Sequence, residues 1–229
     1  MKKLVIVRHG QSEWNLKNLF TGWVDVSLSP KGIEEATNAG KALAAAGFDF
    51  DRCFTSYQKR AINTLQLILK AMDREWLPVE KSYKLNERHY GGLQGLNKAE
   101  TAEKYGAEQV KLWRRSFDVP PPVLDENSEY NARNWPQYRN VPKEEIPLHE
   151  SLKDTIKRTV PYFDEVIKPL ILKGERIIIA AHGNSLRSLI KSFENISDAD
   201  IVNVEIPTGT PLVYEFDDDF KFVNKYYVK

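Results

Sequence analysis

Apolar residues along the chain fall into two kinds of run. Leu4–Val7 and the stretch "IIIAA" from Ile177 are unbroken, without alternation, the pattern of strands buried on both faces of a sheet. Elsewhere the apolar positions recur every three or four residues, as on one face of a helix. In "SPKGIEEATNAGKALAAAG", Ile33, Ala36, Ala39, Gly40 and Leu43 keep this spacing; Ser29 is placed to cap, Pro30 suits the first helical position and Gly47 can end the helix. A short strand "FDRCFTS" precedes a second such helix, "YQKRAINTLQLILKAM", with Ala61, Leu65, Ile68 and Met72 on one face. "VEKSYKLNE" reads as a further strand, closed by Glu87. Strand and helix therefore alternate over the first ninety residues, which predicts a parallel α/β sheet.

The alternation stops between about residues 90 and 150. A polar helix is predicted from Lys98 to Phe117, and the stretch 119–147 behind it holds six of the twelve prolines, which excludes a regular helix or central strand. Its tyrosines, its valines and Trp135, with Trp113 just before it, argue for an ordered flap. Regular signals return at Ser151-x-x-Asp154, a capping box opening a helix to about Leu172 in which Pro161 and Pro169 predict a kink or early stop. The second apolar strand, a helix from "NSLRSLIKSF" and two closing strands, "PLVYEF" and "KFVNKYYV", complete the chain. The expected fold is α/β, a mostly parallel central sheet flanked by helices, in one domain over 1–229 with a helical and Pro-rich insertion covering a cleft.

Composition narrows the classes of function. With 33 basic and 32 acidic residues the net charge is +1, so no broad basic surface speaks for nucleic acid or an anionic membrane. No apolar run approaches the length of a membrane span, and the four apolar residues after Met1-Lys2-Lys3 are too few for a secretion signal; a cytoplasmic protein is expected. The single Cys53 forms no disulfide framework and is expected in the core.

Two of the four histidines end the two apolar strands in the same context, Arg8-His9-Gly10 and Ala181-His182-Gly183. One histidine after a strand is ordinarily a packed residue. Two at strand ends that can lie side by side place two imidazoles at the crevice where α/β sheets bind ligands. Gly10 and Gly183 would let a ligand approach the backbone, and Gly183-Asn184-Ser185 opens a helix whose free N–H groups suit an anion. Imidazole suits nucleophilic or acid–base work near neutral pH. Arg8, and Arg60 after the "FTSYQK" strand end, offer bidentate donors to phosphate or carboxylate. Glu87 is a candidate proton donor or acceptor, whereas the pair Arg114-Arg115 reads by itself as solvated helix charge. No metal-ligand spacing and no phosphate-loop motif for ATP is present, which points to phosphate chemistry supported by arginines and helix termini.

"VIVRHGQSEWN" resembles the signature of the histidine phosphatase superfamily, in which the histidine of Arg-His-Gly becomes phosphorylated. "FTGW", "SLSPKG", "TSYQKRAINT", "LNERHYGGLQGLNK", "WRRSFDVPPP", "LHESLKDT", "AAHGNSLR" and "IPTGTPLVYEF" follow in order and are similar to the cofactor-dependent phosphoglycerate mutases within it. The resemblance implies that His9 is the nucleophile and Glu87 the general acid and base. His182, Arg8 and Arg60 would stabilise the transferring phosphoryl group, with Asn15, Gly183 and Asn184 adding donors. Thr21, Gly22, Tyr90, Lys98, Arg114 and Arg115 would hold the substrate's carboxylate and other phosphate. Ser12, commoner in mutases than in the bisphosphoglycerate synthases, joins the substrate set; Gln11 replaces a Glu that many mutases carry.

The activity so implied is interconversion of 3-phosphoglycerate and 2-phosphoglycerate in glycolysis and gluconeogenesis, primed by 2,3-bisphosphoglycerate without a metal, in a homo-oligomer, dimer or tetramer. The flap and the C-terminal residues Tyr226–Lys229 are expected covers that keep water from a phosphohistidine. A phosphatase of small phosphorylated metabolites and a catalytically silent phosphate-binding protein are the alternatives.

Overall fold

The structure, a computed structural model, describes residues 1–229. Its six strands are β1 (Lys2–Arg8), β2 (Arg52–Thr55), β3 (Val79–Lys81), β4 (Ile177–Ala181), β5 (Leu212–Phe216) and β6 (Phe222–Tyr227). They form one sheet in the order β3-β2-β4-β1-β5-β6. The pairings β2/β3, β2/β4 and β1/β4 are parallel, and the β1/β5 and β5/β6 pairings are antiparallel.

The unbroken apolar runs are explained by cover on both faces. Leu4, Ile6, Ile177 and Ile179 turn to one side, where they meet Phe163, Ile167, Leu186 and Leu189. Val5, Val7, Ile178 and Ala180 turn to the other and meet Leu43, Leu65 and Ile68. The helices on the second side are α2 (Pro30–Ala45) and α3 (Lys59–Ala71), following a short α1 (Glu13–Leu16). Those on the first are α6 (Leu152–Tyr162), α7 (Lys168–Leu172) and α8 (Gly183–Glu194). Ser29 Oγ caps α2 by accepting from Gly32 N, Pro30 is its first residue, and Gly47 follows its end at φ +75°. The capping box of Ser151 and Asp154 is present at α6. Cys53 is buried in the core, where desolvation pushes its thiol up to about 12.

Several expectations change. Ile33 is 47 % exposed, because the buried stripe of α2 runs through Gly32, Ala36, Ala39, Gly40 and Leu43, and its two glycines let the helix lie against the Gly10-Gln11 segment and against α3. The strand expected to reach Glu87 ends at Lys81 and gives way to a 3-10 turn over Tyr83–Leu85. The single polar helix is two, α4 (Lys98–Tyr105) and α5 (Ala107–Arg115), split by Gly106 at φ +88°, a conformation that only glycine adopts freely. Pro161 and Pro169 do not stop the helix: α6 passes into α7 through a π-helical segment, Phe163–Ile167, that lies between the two prolines.

The segment after α5 is ordered by a small core of its own, in which Ala132, Tyr138, Val141 and Ile146 pack around Trp23. It also braces the loop after Leu85: Gly92 N donates to the Pro122 carbonyl, and Glu150 N to the His89 carbonyl. Residues 226–229 lie along the sheet edge, with Val228 buried and its N–H on the Pro211 carbonyl. They do not cover the cleft.

Candidate active site

β2, β4 and β1 lie side by side, parallel and in register, so their carboxyl ends open on one crevice. Each strand releases one polar side chain there: Ser56 after β2, His182 after β4 and His9 after β1. The imidazoles of His9 and His182 are 5.0 Å apart between ring centroids, at 3 % and 0 % exposure. The pairing expected of the two His-Gly sites is therefore physical. Gly10 plays a different part from the one its position implied. A Cβ there would lie 2.3 Å from the Gly32 carbonyl oxygen, so Gly10 admits α2 rather than a ligand. Gly183 has no such conflict and lines the cleft.

Hydrogen bonding fixes the chemistry of His9. Its Nδ1 lies 2.7 Å from the Gly10 carbonyl oxygen, which can only accept, so Nδ1 carries the proton and Nε2 keeps its lone pair. Arg60 Nε points at Nε2 from 3.3 Å. Burial, then Arg60 and Arg8, hold the His9 imidazole far below its ordinary range and therefore neutral. Burial and Arg60 do the same to His182, aided by His9, Arg158 and Arg8. Arg60 is itself buried, its pKa lowered to about 10 mainly by desolvation, and it donates through Nη1 to the Val24 carbonyl and through Nη2 to the Gly22 carbonyl.

Glu87 sits in the loop beyond β3 and is held on every side. Its N–H donates to Gln58 Oε1 at 2.8 Å, and its carbonyl accepts from Trp23 Nε1 at 2.6 Å and Arg158 Nη2 at 2.9 Å. Its carboxylate Oε1 accepts from Arg88 N at 2.8 Å and from Asn184 N at 3.0 Å. The Asn184 amide at the start of α8, expected to face an anionic ligand, thus faces the Glu87 carboxylate.

Of the predicted residues, Arg8, His9, Asn15, Thr21, Gly22, Arg60, Glu87, Tyr90, Lys98, Arg114, Arg115, Gly183 and Asn184 all line one cleft. Arg8 Nη1 donates to the Ile206 carbonyl at 2.8 Å. Lys98 and the Arg114-Arg115 pair come from the two ends of the α4–α5 unit, which Phe20, Leu93 and Val110 pin to the loop carrying Thr21 and Gly22. This removes Arg114-Arg115 from the solvated-charge reading. Burial and the neighbouring Arg114, Arg8 and Arg115 lower Lys98 to about 8.

Two predicted residues are not on the wall. Ser12 is fully buried and caps α1, its Oγ accepting from Asn15 N. His182 is enclosed behind His9. The Pro-rich stretch contributes no wall residue either; it stands one layer back, and α4 and α5 provide that side of the cleft.

Arg187 was not anticipated. It lines the cleft three residues beyond Asn184 on the same face of α8, and its Nη1 donates to Asn184 Oδ1 at 3.0 Å, which turns the Asn184 Nδ2 toward the Tyr90 hydroxyl at 3.3 Å. Helical spacing within "GNSLR" was the available signal. The wall therefore carries six cations, Arg8, Arg60, Lys98, Arg114, Arg115 and Arg187, against two carboxylates, Glu87 and Glu205. Glu205 pairs with Arg115 at 2.7 Å. Nowhere do three His, Cys, Asp or Glu side chains converge as a metal site would require.

Comparison with known proteins places this geometry in a context. The model of the histidine phosphatase superfamily (branch 1) matches residues 4–141 and 123–229. The chain is 65 % identical over 226 residues to the 2,3-bisphosphoglycerate-dependent phosphoglycerate mutase of Treponema denticola, covering 99 % of this chain and 92 % of the relative. It is 62 % identical to the enzyme of the same name from Lachnoclostridium phytofermentans, again over 226 residues, covering 99 % and 91 %. Among solved structures it is similar to Bacillus stearothermophilus YhfR, with a TM-score of 0.74 at 20 % identity, covering 97 % of this chain and 95 % of the other. That likeness concerns the fold.

Proposed function

The chain belongs to the histidine phosphatase superfamily and, within it, to the 2,3-bisphosphoglycerate-dependent phosphoglycerate mutases, and on that premise we propose that it interconverts 3-phosphoglycerate and 2-phosphoglycerate through a phosphohistidine on His9. The observation that carries this reading is a neutral, desolvated imidazole, its unprotonated Nε2 facing the Arg60 guanidinium, in a cleft walled by six cations. A three-carbon acid bearing two phosphates matches such a wall, and 2,3-bisphosphoglycerate supplies, when bound, the first phosphoryl group.

In the cycle so read, the proton of the substrate's free hydroxyl passes to the Glu87 carboxylate as that oxygen bonds to phosphorus and the His9 Nε2–P bond breaks. The bisphosphate then turns within the cleft. His9 Nε2 bonds to the other phosphorus, that P–O bond breaks, and Glu87 returns its proton to the departing oxygen. Arg8 and Arg60 sit where they can neutralise the group in transfer. Lys98, Arg114, Arg115 and Arg187 suit the carboxylate and the phosphate that stays behind. Tyr90, Asn15, Asn184 and the Thr21-Gly22 loop complete the donors.

The test is turnover of 3-phosphoglycerate with a trace of 2,3-bisphosphoglycerate and a chelator, following 2-phosphoglycerate and free phosphate together. Isomerisation that requires the trace, survives the chelator and vanishes in His9→Ala is the expected result. Free phosphate without isomerisation would make the chain a phosphatase, and binding without either product a silent phosphate-binding protein. Self-association and a cytoplasmic location belong to the same reading. The first is supported by Ile33, beside a groove between α2, α3 and the edge strand β3, and by the exposed Trp76 near it; sedimentation equilibrium tests it. No helix is long and apolar enough to cross a membrane.

A further inference from the structure

No step above uses Glu205, the second carboxylate on the cleft wall. It lies between a 3-10 turn (Asp200–Asn203) and β5, and its Oε1 accepts from Arg115 Nη2 at 2.7 Å. The two residues are 90 positions apart and belong to separate elements that line the same cleft. The backbone on both sides is tied down. Arg187 Nη2 donates to the Ile201 carbonyl and Arg8 Nη1 to the Ile206 carbonyl, while Val110 of α5 packs with Phe20 and Leu93. The Glu205 side chain is not tied down: it is 73 % exposed, against 37 % for Arg115.

An ion pair so open to water holds its members weakly, and either can exchange its partner for a stronger one. A phosphate is such a partner for a guanidinium, because it carries more charge than a carboxylate and fits the same fork of donors. The Nη2–H group that Arg115 gives to Glu205 is not free for a ligand until the carboxylate moves, and this side chain can swing into water while its backbone stays in place. If the carboxylate stayed, it would stand as a like charge beside the bound anion. In either case the pair subtracts from anion binding. A subtraction that falls equally on bound substrate and transition state raises KM and leaves kcat as it is. On a wall of six cations it favours release.

We propose that Glu205 is a built-in competitor for Arg115: its carboxylate holds the guanidinium in the free protein, yields it to an anionic group of the ligand and takes it back on release. That the ligand is a phosphoglycerate rests on the reading of the reaction given above; the exchange of one anion for another at Arg115 does not.

The test is calorimetric titration of 3-phosphoglycerate into the protein without primer, in wild type, Glu205→Gln, Arg115→Ala and the double variant. It is run in about 0.1 M salt, where exposed charges more than about 10 Å apart are largely screened. Glu205→Gln keeps the size of the side chain and removes its charge. It is expected to bind about 2- to 5-fold tighter, with KM lower by a similar factor and kcat not raised. In the Arg115→Ala background the same substitution is expected to change Kd by less than about 1.5-fold. Unchanged binding in Glu205→Gln overturns the proposal. Weaker binding does so too, and would mean that Glu205 holds Arg115 in its binding pose. A gain of the same size without Arg115 also overturns it, as a general effect of charge. If 3-phosphoglycerate binds with the expected gain but is not turned over once primer is added, the competitor stands and the reading of the reaction falls. Turnover without the gain does the reverse.

Discussion

Lys98 shows how a single residue acquires its chemistry from neighbours distant in sequence. Nothing in "LNKAE" separates it from the other lysines, but folding brings it beside Arg114, Arg8 and Arg115 in a half-buried place, and its pKa falls to about 8. Below that pH it is an ammonium facing the cleft; above it the charge is gone. Capture of phosphoglycerate is therefore expected to weaken as pH rises through about 8, seen as a falling limb in kcat/KM, the quantity that reports ionisations of the free protein. In Lys98→Arg, which stays charged, that limb should disappear; its persistence there would assign the ionisation to another group. Gly10 carries the opposite lesson. Its identity was legible, but the reason for it, the Gly32 carbonyl 2.3 Å from where a Cβ would stand, belongs to the packing of α2.

At the scale of elements, the loop carrying Glu87 has almost no regular structure of its own and takes its shape from a helix far along the chain. Arg158 on α6 donates to the carbonyls of Lys84, Asn86 and Glu87 and forms a bidentate pair with Glu150, whose Oε2 also accepts from His89 N. Both side chains are largely buried, at 11 % and 4 % exposure. Breaking such a pair from one side leaves a charge without a partner, so Arg158→Met is expected to cost about 3–5 kcal/mol in urea unfolding, with a lower kcat as Glu87 loses its support. Adding Glu150→Gln removes the stranded charge and should recover much of the stability. A single-mutant loss below about 1 kcal/mol would place the pair among exposed ion pairs instead. The insertion has the same dependence: α4 and α5 face the cleft because Phe20, Leu93 and Val110 hold them there, not because their own sequence requires it.

For the molecule as a whole, three imidazoles are kept neutral by burial: His9 and His182 lie well below their ordinary 6.5, and His89 is lowered to about 3. The unfolded chain binds protons at these sites near pH 6.5 and the folded chain does not, so stability rises with pH wherever the two states differ. Their contribution is fully present above the unfolded value and is lost as pH falls from about 6.5 through the folded values, by up to about 1.4 kcal/mol per group per pH unit. Urea midpoints are expected to be level above pH 7 and to fall steadily below 6.5; a flat profile from 6.5 to 4 would show that water reaches these rings. The layered sheet, the caps of α2 and α6, the neutral surface charge and the two His-Gly strand ends were all legible in the chain, because each rests on local spacing or composition. So were most of the cleft residues, through the motifs the chain shares with its relatives. The retreat of the Pro-rich stretch from the cleft and the contact of Ser56 with His182 were decided by the tertiary structure alone. They depend on which strands become neighbours and which polar atoms are left without water, and neither is set by residues near one another in sequence.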